Sequence, residues 1–164
     1  MSIMLRRMSI PVLVVALMAA VGVATAHADS PHFIQASAGI DNAGNLTVSF
    51  KEVGLGNTVT TEAITANADA TAVYACINGG GKHPKATNKA TVSGPVSGGG
   101  SFPVRNGSTS GTLTVSPPGP GSFSCPSGQT MVLVSVSYTN VSVAGAAGDA
   151  ADIAGTFSKT FFNL

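Results

Sequence analysis

The sequence predicts an all-β protein, an antiparallel immunoglobulin-like β-sandwich of seven or eight strands, and three observations lead to this class. After residue 28 the chain is rich in Val, Thr, Ser, Ala and Gly, whereas the helix formers Leu, Lys, Glu and Arg do not occur in runs. Several segments alternate apolar and polar side chains with a period of two, which is typical of half-buried strands. Turn-forming Gly, Pro, Asn and Asp residues separate these segments.

The first half of this domain contains five predicted strands. In the second of them, Leu46, Val48 and Phe50 alternate with polar residues and should face the core. Residues 66–69, Ala-Asn-Ala-Asp, are predicted to separate the third strand from the fourth, because Asn and Asp favour turns. A glycine triplet at 98–100 follows the fifth, a short edge strand. The five predicted strands are 33–38, 46–51, 58–65, 71–77 and 88–93.

The second half is predicted to begin with a β-hairpin over residues 101–116. Its turn is Asn106-Gly107, a pair that accepts the positive φ angles of a type I′ turn. The Pro- and Gly-rich segment 117–121 excludes both a helix and a central strand. Residues 131–138 form the most apolar segment and predict a central strand, and a change of alternation beyond it predicts a bulge or bend near Asn140. The remaining predicted elements are a loop over 144–154 and a last strand over 156–162.

The N-terminus predicts export. Arg6-Arg7 precedes an almost wholly apolar run, and Ala26-His27-Ala28 places small residues at the two positions that a signal peptidase reads. We therefore expect residues 1–28 to be a signal peptide and residues 29–164 to be a single secreted, extracellular domain. A membrane anchor is the alternative, but the apolar run is shorter than the about 20 residues that a span requires. No second apolar run follows, so no membrane span is expected after cleavage.

The charge of the predicted mature chain excludes some classes of partner. The sequence has 8 Lys and Arg residues, and loss of Arg6 and Arg7 leaves 6 of them against 7 acidic residues, a formal charge of −1. This is not the basic footprint of a nucleic-acid-binding protein, nor a polybasic membrane patch. The partner is therefore unknown, with a protein or a small molecule favoured over nucleic acid.

The two cysteines predict a covalent link. Cys76 and Cys125 are the only cysteines in the chain, and export places them in an oxidising environment. A disulfide between them would close a loop of about 50 residues and, in the chain-entropy model, would stabilise the fold by about 4 kcal/mol. Metal binding by two isolated thiols is the weaker alternative, because the sequence has no Cys-x-x-Cys pair.

Three segments resemble one known group of proteins. They are Ser-Phe-Lys-Glu-Val-Gly-Leu-Gly at 49–56, Ala-Val-Tyr-Ala-Cys-Ile-Asn-Gly-Gly at 72–80, and Pro-Pro-Gly-Pro-Gly-Ser-Phe-Ser-Cys-Pro at 117–126. Together they are similar to small secreted proteins of Streptomyces-like actinobacteria of uncharacterised function, across most of residues 31–143. The resemblance implies bacterial export, paired Cys76 and Cys125, and no named enzyme activity. It supplies no catalytic or binding residue.

No catalytic residue is assigned from the sequence. The string at 107–111, Gly-Ser-Thr-Ser-Gly, has Thr where a nucleophile elbow needs Ser. A general base must lie within hydrogen-bond reach of its nucleophile, and nothing in the spacing places His32 or His83 there. The sequence therefore predicts that the protein is not an enzyme.

The sequence also assigns no metal or cofactor. Asp149 and Asp152 carry the hard oxygen ligands that calcium prefers, but a solvated loop is the favoured interpretation. A glycosidase needs two placed carboxylates, and Glu52 and Glu62 are instead expected on outward strand faces.

A lysine-rich loop follows the glycines at 79–81. The segment 79–82 imitates a phosphate-binding loop, but Cys76 and His83 occupy positions where that motif has Gly and Ser or Thr. Lys82, Lys85 and Lys89 form a modest positive spot, which we interpret as a solvated loop.

These observations predict a secreted, non-enzymatic β-sandwich that acts as an extracellular binding or surface-associated module. The loops at 79–85 and 117–121 are candidate binding elements, since recognition commonly lies on loops carried by a rigid scaffold. One alternative is a small-molecule carrier that resembles the enediyne-binding apoproteins, although those have two disulfides and this chain can form only one. A secreted inhibitor or enzyme of unrecognised type is the other.

Overall fold

The residues that the computed structural model describes, 30–78 and 88–163, form eight β-strands and no helix. The predicted signal peptide and the loop at 79–85 lie outside the described residues. None of the described segments is a helix long and apolar enough to cross a bilayer. The strands are β1 (His32–Ile40), β2 (Leu46–Val53), β3 (Thr61–Asn78), β4 (Lys89–Pro103), β5 (Ser108–Val115), β6 (Gln129–Gly145), β7 (Ala150–Ile153) and β8 (Phe157–Thr160).

The strands are arranged in two antiparallel sheets, which confirms the predicted all-β sandwich. The smaller sheet has the order β1-β2-β5, and the larger one has the order β4-β3-β6-β7, with β8 also paired to β6. In an immunoglobulin constant domain the first, second and fifth strands are also neighbours, but the fourth strand joins their sheet. Here β4 pairs with β3 instead, so immunoglobulin-like membership stays a prediction.

The hydrophobic core lies between the two sheets. Leu46, Val48 and Phe50 of β2 are buried as predicted, and they meet alanines, valines and Tyr138 of the larger sheet. The ring of Phe102 on β4 packs edge-on against Phe50 at a centroid distance of 4.8 Å, which joins the sheets by a favoured aromatic geometry.

The prediction of two strands over 58–65 and 71–77 is wrong, because β3 is one continuous strand of 18 residues. Burial alternates through the segment that was predicted to be a turn: Ala66 and Ala68 face the core, whereas Asn67 and Asp69 face solvent. The polar residues therefore occupy outward positions of a strand, where they need not break it. Because the inward side chains are small alanines, the opposite sheet can pack close to β3.

A similar correction applies to the predicted short edge strand at 88–93. It continues as β4 to Pro103, and the glycine triplet at 98–100 pairs residue by residue with β3. Gly98 has a packing reason to be glycine, since a Cβ there would overlap the carbonyl oxygen of Thr114 in the opposite sheet. Glycine in a strand often marks such a close backbone approach.

The predicted hairpin over 101–116 is correct at its turn and wrong in its pairing. Asn106 and Gly107 have φ angles of 50° and 69°, and Arg105 and Ser108 exchange backbone hydrogen bonds across them. The two strands that flank this turn then separate into different sheets, since β4 pairs with β3 and β5 pairs with β2. The turn therefore carries the chain from one sheet to the other.

The bulge predicted near Asn140 is confirmed. Asn67 pairs with Ser142 but Asp69 pairs with Thr139, so β6 contains one extra residue between these pairs. Asn140 has a φ of 51°, a left-handed conformation that Asn tolerates better than most residues. The bulge shifts the inward phase of β6, and the buried side chains change from Val134, Val136 and Tyr138 before it to Val141 and Val143 after it.

The segment 144–154, predicted as a loop, contains the end of β6, a tight turn and the short strand β7. Gly145 donates its N–H to the Asp149 carbonyl oxygen at 3.0 Å, and Gly148 takes a φ of 98°. The last strand was predicted over 156–162, and β8 occupies the central part of that range.

Candidate functional sites

The predicted disulfide is present and defines one candidate site. The sulfur atoms of Cys76 and Cys125 are 2.05 Å apart and their Cα atoms are 5.6 Å apart. Cys76 is buried near the end of β3, whereas Cys125 lies in the Pro- and Gly-rich segment before β6. We call residues 116–128 the stapled loop. Its first part, 117–121, is neither helix nor strand, as predicted.

Hydrogen bonds, in addition to the disulfide, fix the stapled loop in place. The Tyr74 hydroxyl donates to the Pro118 carbonyl oxygen at 2.8 Å, and partial burial raises the pKa of this phenol. Backbone bonds from Phe123 N–H to Pro120 and from Gln129 N–H to Pro126, each 3.1 Å long, form two turns within and after the loop. The loop is thus tied to β3 at two places, Cys125 and Pro118, while most of its Ser, Gly and Pro residues remain exposed or half-buried.

A second candidate lies on the surface around the bulge. Asn140 borders two depressions of ≈340 Å³ and ≈360 Å³, and its side-chain amide donates to Asp69 Oδ2 at 2.8 Å. Asn67 lines the first depression and Asp152 lines the second. A third depression of ≈360 Å³ lies beside Lys51 and Arg105. These three are open to solvent and have mixed polar and apolar linings, unlike the enclosed apolar pockets that usually hold small molecules.

A third candidate is a group of three acidic residues at the opposite end of β3 from the disulfide. Glu52 of β2 is 0% exposed and Glu62 of β3 is 6% exposed, so the prediction that both face outward is wrong. Asp149, in the turn between β6 and β7, is half-buried, yet both of its carboxylate oxygens are buried. We call these three residues the acid cluster. At about 3.3 Å per residue, Glu62 and Cys76 are about 45 Å apart along β3.

The electrostatics of the acid cluster are unusual. Glu62 Oε1 accepts a hydrogen bond from the Ala147 N–H at 2.9 Å, but no donor among the described residues reaches the carboxylate oxygens of Glu52 or Asp149. Burial, the adjacent Asp149 carboxyl group and the negative charge of Glu62 raise the pKa of Glu52 from 4.5 to about 8. These surroundings therefore favour the protonated form of Glu52 at neutral pH.

Comparison with known proteins adds nothing to these sites. No family model, curated protein or solved structure matches this chain.

The other candidate residues of the sequence are dispersed over the structure. His32 is exposed, and its Nδ1 lies 2.8 Å from the Ser30 carbonyl oxygen, a local contact. Lys89 is exposed at the start of β4, and Asp152 is exposed on β7, where it pairs with Ser142 rather than joining Asp149. Lys82, His83 and Lys85 lie outside the described residues. Within the described ranges, no group of three His, Cys, Asp or Glu side chains is placed to hold a metal ion.

The Gly-Ser-Thr-Ser-Gly string at 107–111 has a structural role. Thr109, its central residue, is buried, and its hydroxyl donates to the Pro103 carbonyl oxygen at 3.1 Å. The contact ties the start of β5 to the end of β4, just beyond the turn at Asn106. A buried, donating threonine is not placed to act as a nucleophile.

The acid cluster is the site that sequence reasoning missed, although a signal was present. Glu52 has the same parity as Leu46, Val48 and Phe50 on β2, and Glu62 has the same parity as Ile64 on β3. The period of two therefore places both side chains inward. The general rule that glutamate avoids the interior instead favours an outward orientation.

Proposed function

We propose that this protein is a secreted, non-catalytic binding or surface-associated module whose stapled loop contacts the partner. The observation that carries the proposal is the stapled loop itself, an exposed Pro- and Gly-rich segment held by a disulfide and by the Tyr74 hydroxyl. A loop that is already fixed loses less conformational entropy on binding, which raises affinity.

The remaining features support the same proposal. The sandwich core is filled by side chains from both sheets, and the three depressions are shallow, which disfavours the small-molecule carrier. The described histidine, His32, contacts the backbone carbonyl oxygen of Ser30 rather than a side-chain nucleophile, which disfavours hydrolysis that relies on it. The strand order suggests an immunoglobulin-like sandwich with its fourth strand exchanged between sheets, a framework that commonly carries recognition loops.

The test is photo-cross-linking from the stapled loop. A photoreactive phenylalanine analogue replaces Ser122, which is exposed within the loop, and a control carries it at Thr112, exposed on the outer face of the smaller sheet. Each protein is irradiated with washed Streptomyces mycelium and with concentrated culture supernatant. We expect a discrete adduct from position 122 that is absent from position 112 and is competed by unlabelled protein.

Identical adducts from both positions, or none from position 122, would contradict the proposal. Thermal unfolding of both labelled proteins verifies that they are folded. Native mass spectrometry of protein recovered from the supernatant tests the carrier alternative, because a retained small molecule would appear as a defined mass increment.

A further inference from the structure

Two carboxyl groups meet inside the acid cluster without a donor to join them. An ideal Cβ position on Gly145 lies 2.6 Å from Asp149 Oδ1 and 3.0 Å from Glu52 Oε1, so both groups converge on the backbone of this glycine. Glu52 is fully buried and both of its oxygens lack a hydrogen-bond partner among the described residues. Two ionised carboxylates in such a place repel each other, and burial disfavours each charge.

The charged groups that act on Glu52 are both acidic, Asp149 and Glu62 of β3. His32 of β1 is exposed and pairs with Val53 instead. In the smaller sheet, Glu52 pairs with Phe33 of β1 and with Thr109 of β5, and neither carries a charge. The pair is therefore neutralised by a proton or by a bound cation. The described side chains favour the proton, because no three potential ligands among them are arranged around a metal position.

We infer that Glu52 and Asp149 hold one proton between them at neutral pH, and that its release loosens the turn between β6 and β7. Such a shared proton supplies the missing donor, since a protonated carboxyl group donates to its ionised neighbour. The inference concerns the end of β3 opposite the stapled loop, and it does not depend on the proposed function.

The turn is the element that responds, because its anchors converge on the acid cluster. The Ala147 N–H donates to Glu62 Oε1 at 2.9 Å, and the Ala146 N–H donates to the Ala63 carbonyl oxygen at 2.9 Å. Asp149 closes the turn through its own carbonyl oxygen, which accepts from Gly145. Repulsion between ionised Glu52 and Asp149 therefore pushes directly on a residue that holds the turn closed.

The direction of the pH effect follows from proton linkage. The folded protein keeps a proton on the pair at pH values where the unfolded chain has released it, since the pKa of Glu52 is raised from 4.5 to about 8. The stabilisation is complete below the unfolded value and is lost as pH rises through the folded value. Across that window one such proton increases the unfolding equilibrium constant by up to about tenfold per pH unit.

The experiment is urea unfolding between pH 5 and 9.5 of the wild type, Glu52→Gln and the matched control Asp152→Asn. Glu52→Gln is nearly isosteric, and its amide donates to Asp149 without titrating, so we expect its midpoint to depend little on pH. We expect the wild-type and Asp152→Asn midpoints to fall together as pH rises, because Asp152 is exposed, pairs with Ser142 and is not among the groups that shift the pKa of Glu52. A wild-type midpoint that does not fall, or a Glu52→Gln midpoint with the wild-type slope, overturns the inference.

Two measurements on the wild type need no variant. Infrared spectroscopy should show a protonated carboxylic acid band at pH 7 that disappears by pH 9.5, and its absence at pH 7 overturns the inference. Hydrogen exchange at Ala146 and Ala147, corrected for intrinsic rates, should accelerate above pH 8 more than exchange in the centre of β3. If millimolar calcium restores the urea midpoint of the wild type but not of Glu52→Gln at pH 9, and the acid band is missing at pH 7, the pair binds a cation instead.

Discussion

Individual residues in this sandwich have structural roles that the residue type alone does not reveal. Tyr138 is the largest fully buried side chain of the described residues. Its hydroxyl donates to the Gly44 carbonyl oxygen at 2.8 Å, and this bond links the larger sheet to the turn that joins β1 to β2. Burial raises the pKa of this phenol to about 12. The ring fills the core, while the hydroxyl satisfies a backbone group of the other sheet, so one residue joins the sheets in two ways.

The Tyr138 hydroxyl provides a prediction at this scale. Tyr138→Phe leaves the Gly44 carbonyl oxygen without its partner in a buried place, and we expect a loss of about 1–2 kcal/mol in the free energy of unfolding. Tyr74→Phe is the matched control, since the Pro118 carbonyl oxygen that it releases lies in a more exposed segment that water can reach. Urea unfolding measures both losses. Equal losses would show that burial of the hydroxyl is not what matters.

At the scale of single elements, the burial of side chains along β6 depends on the bulge at Asn140. Asn140 adds one residue and adopts a positive φ, and the buried valines beyond it would otherwise point to solvent. The amide of Asn140 also donates to Asp69, which accounts for a polar residue at that outward position of β3.

The bulge predicts losses of different size for two substitutions of Asn140. Asn140→Gly retains the left-handed backbone and should cost under about 1 kcal/mol, mainly from the lost hydrogen bond to Asp69. Asn140→Val places a β-branched side chain at positive φ and should cost about 2 kcal/mol or more. Thermal unfolding compares the two variants. A valine variant as stable as the glycine variant would contradict a left-handed residue at this position.

Strand β4 contains its own matched pair of glycines. A Cβ at Gly98 would overlap the Thr114 carbonyl oxygen, whereas a Cβ at Gly94 meets no atom within 4 Å. We expect Gly98→Ala to cost about 1–3 kcal/mol through forced separation of the sheets. Gly94→Ala should be neutral or slightly stabilising, because alanine reduces the entropy of the unfolded chain. Urea midpoints of the two variants test the difference, and similar midpoints would argue against close sheet approach at Gly98.

At the scale of the whole molecule, the disulfide and the core contribute to stability differently. The core joins the two sheets along their length, whereas the bond between Cys76 and Cys125 constrains the end of β3 and the segment before β6 across a separation of 49 residues. In the chain-entropy model this constraint acts mainly on the unfolded state.

Removal of the disulfide provides the prediction at this scale. The double substitution Cys76→Ser and Cys125→Ser should lower the free energy of unfolding by about 4 kcal/mol. The core sheets should remain folded at low temperature, while the stapled loop becomes the first site of limited proteolysis. Far-ultraviolet circular dichroism and mapping of the first cleavage verify these two outcomes. A first cleavage elsewhere than residues 116–128 would contradict the assigned role of the disulfide.

Local patterns in the sequence determined the strand character, the paired cysteines, the turn at Asn106 and the bulge at Asn140. Each follows from a short-range cause: alternation, covalent chemistry or backbone sterics within a few residues. Residue type alone predicts a break in β3 at Asn67 and Asp69 and an outward Glu52, whereas the period of two keeps β3 continuous and turns Glu52 inward.

Only the tertiary structure decided which strands pair and which side chains meet. The turn at Asn106 is the same whether its two strands pair or separate, and the contacts of Gly98 with Thr114 and of β4 with β3 select separation. The acid cluster likewise combines residues from β2, β3 and the turn after β6, which are close only when the sheets face each other. Such contacts depend on the packing of distant segments, so no local pattern specifies them.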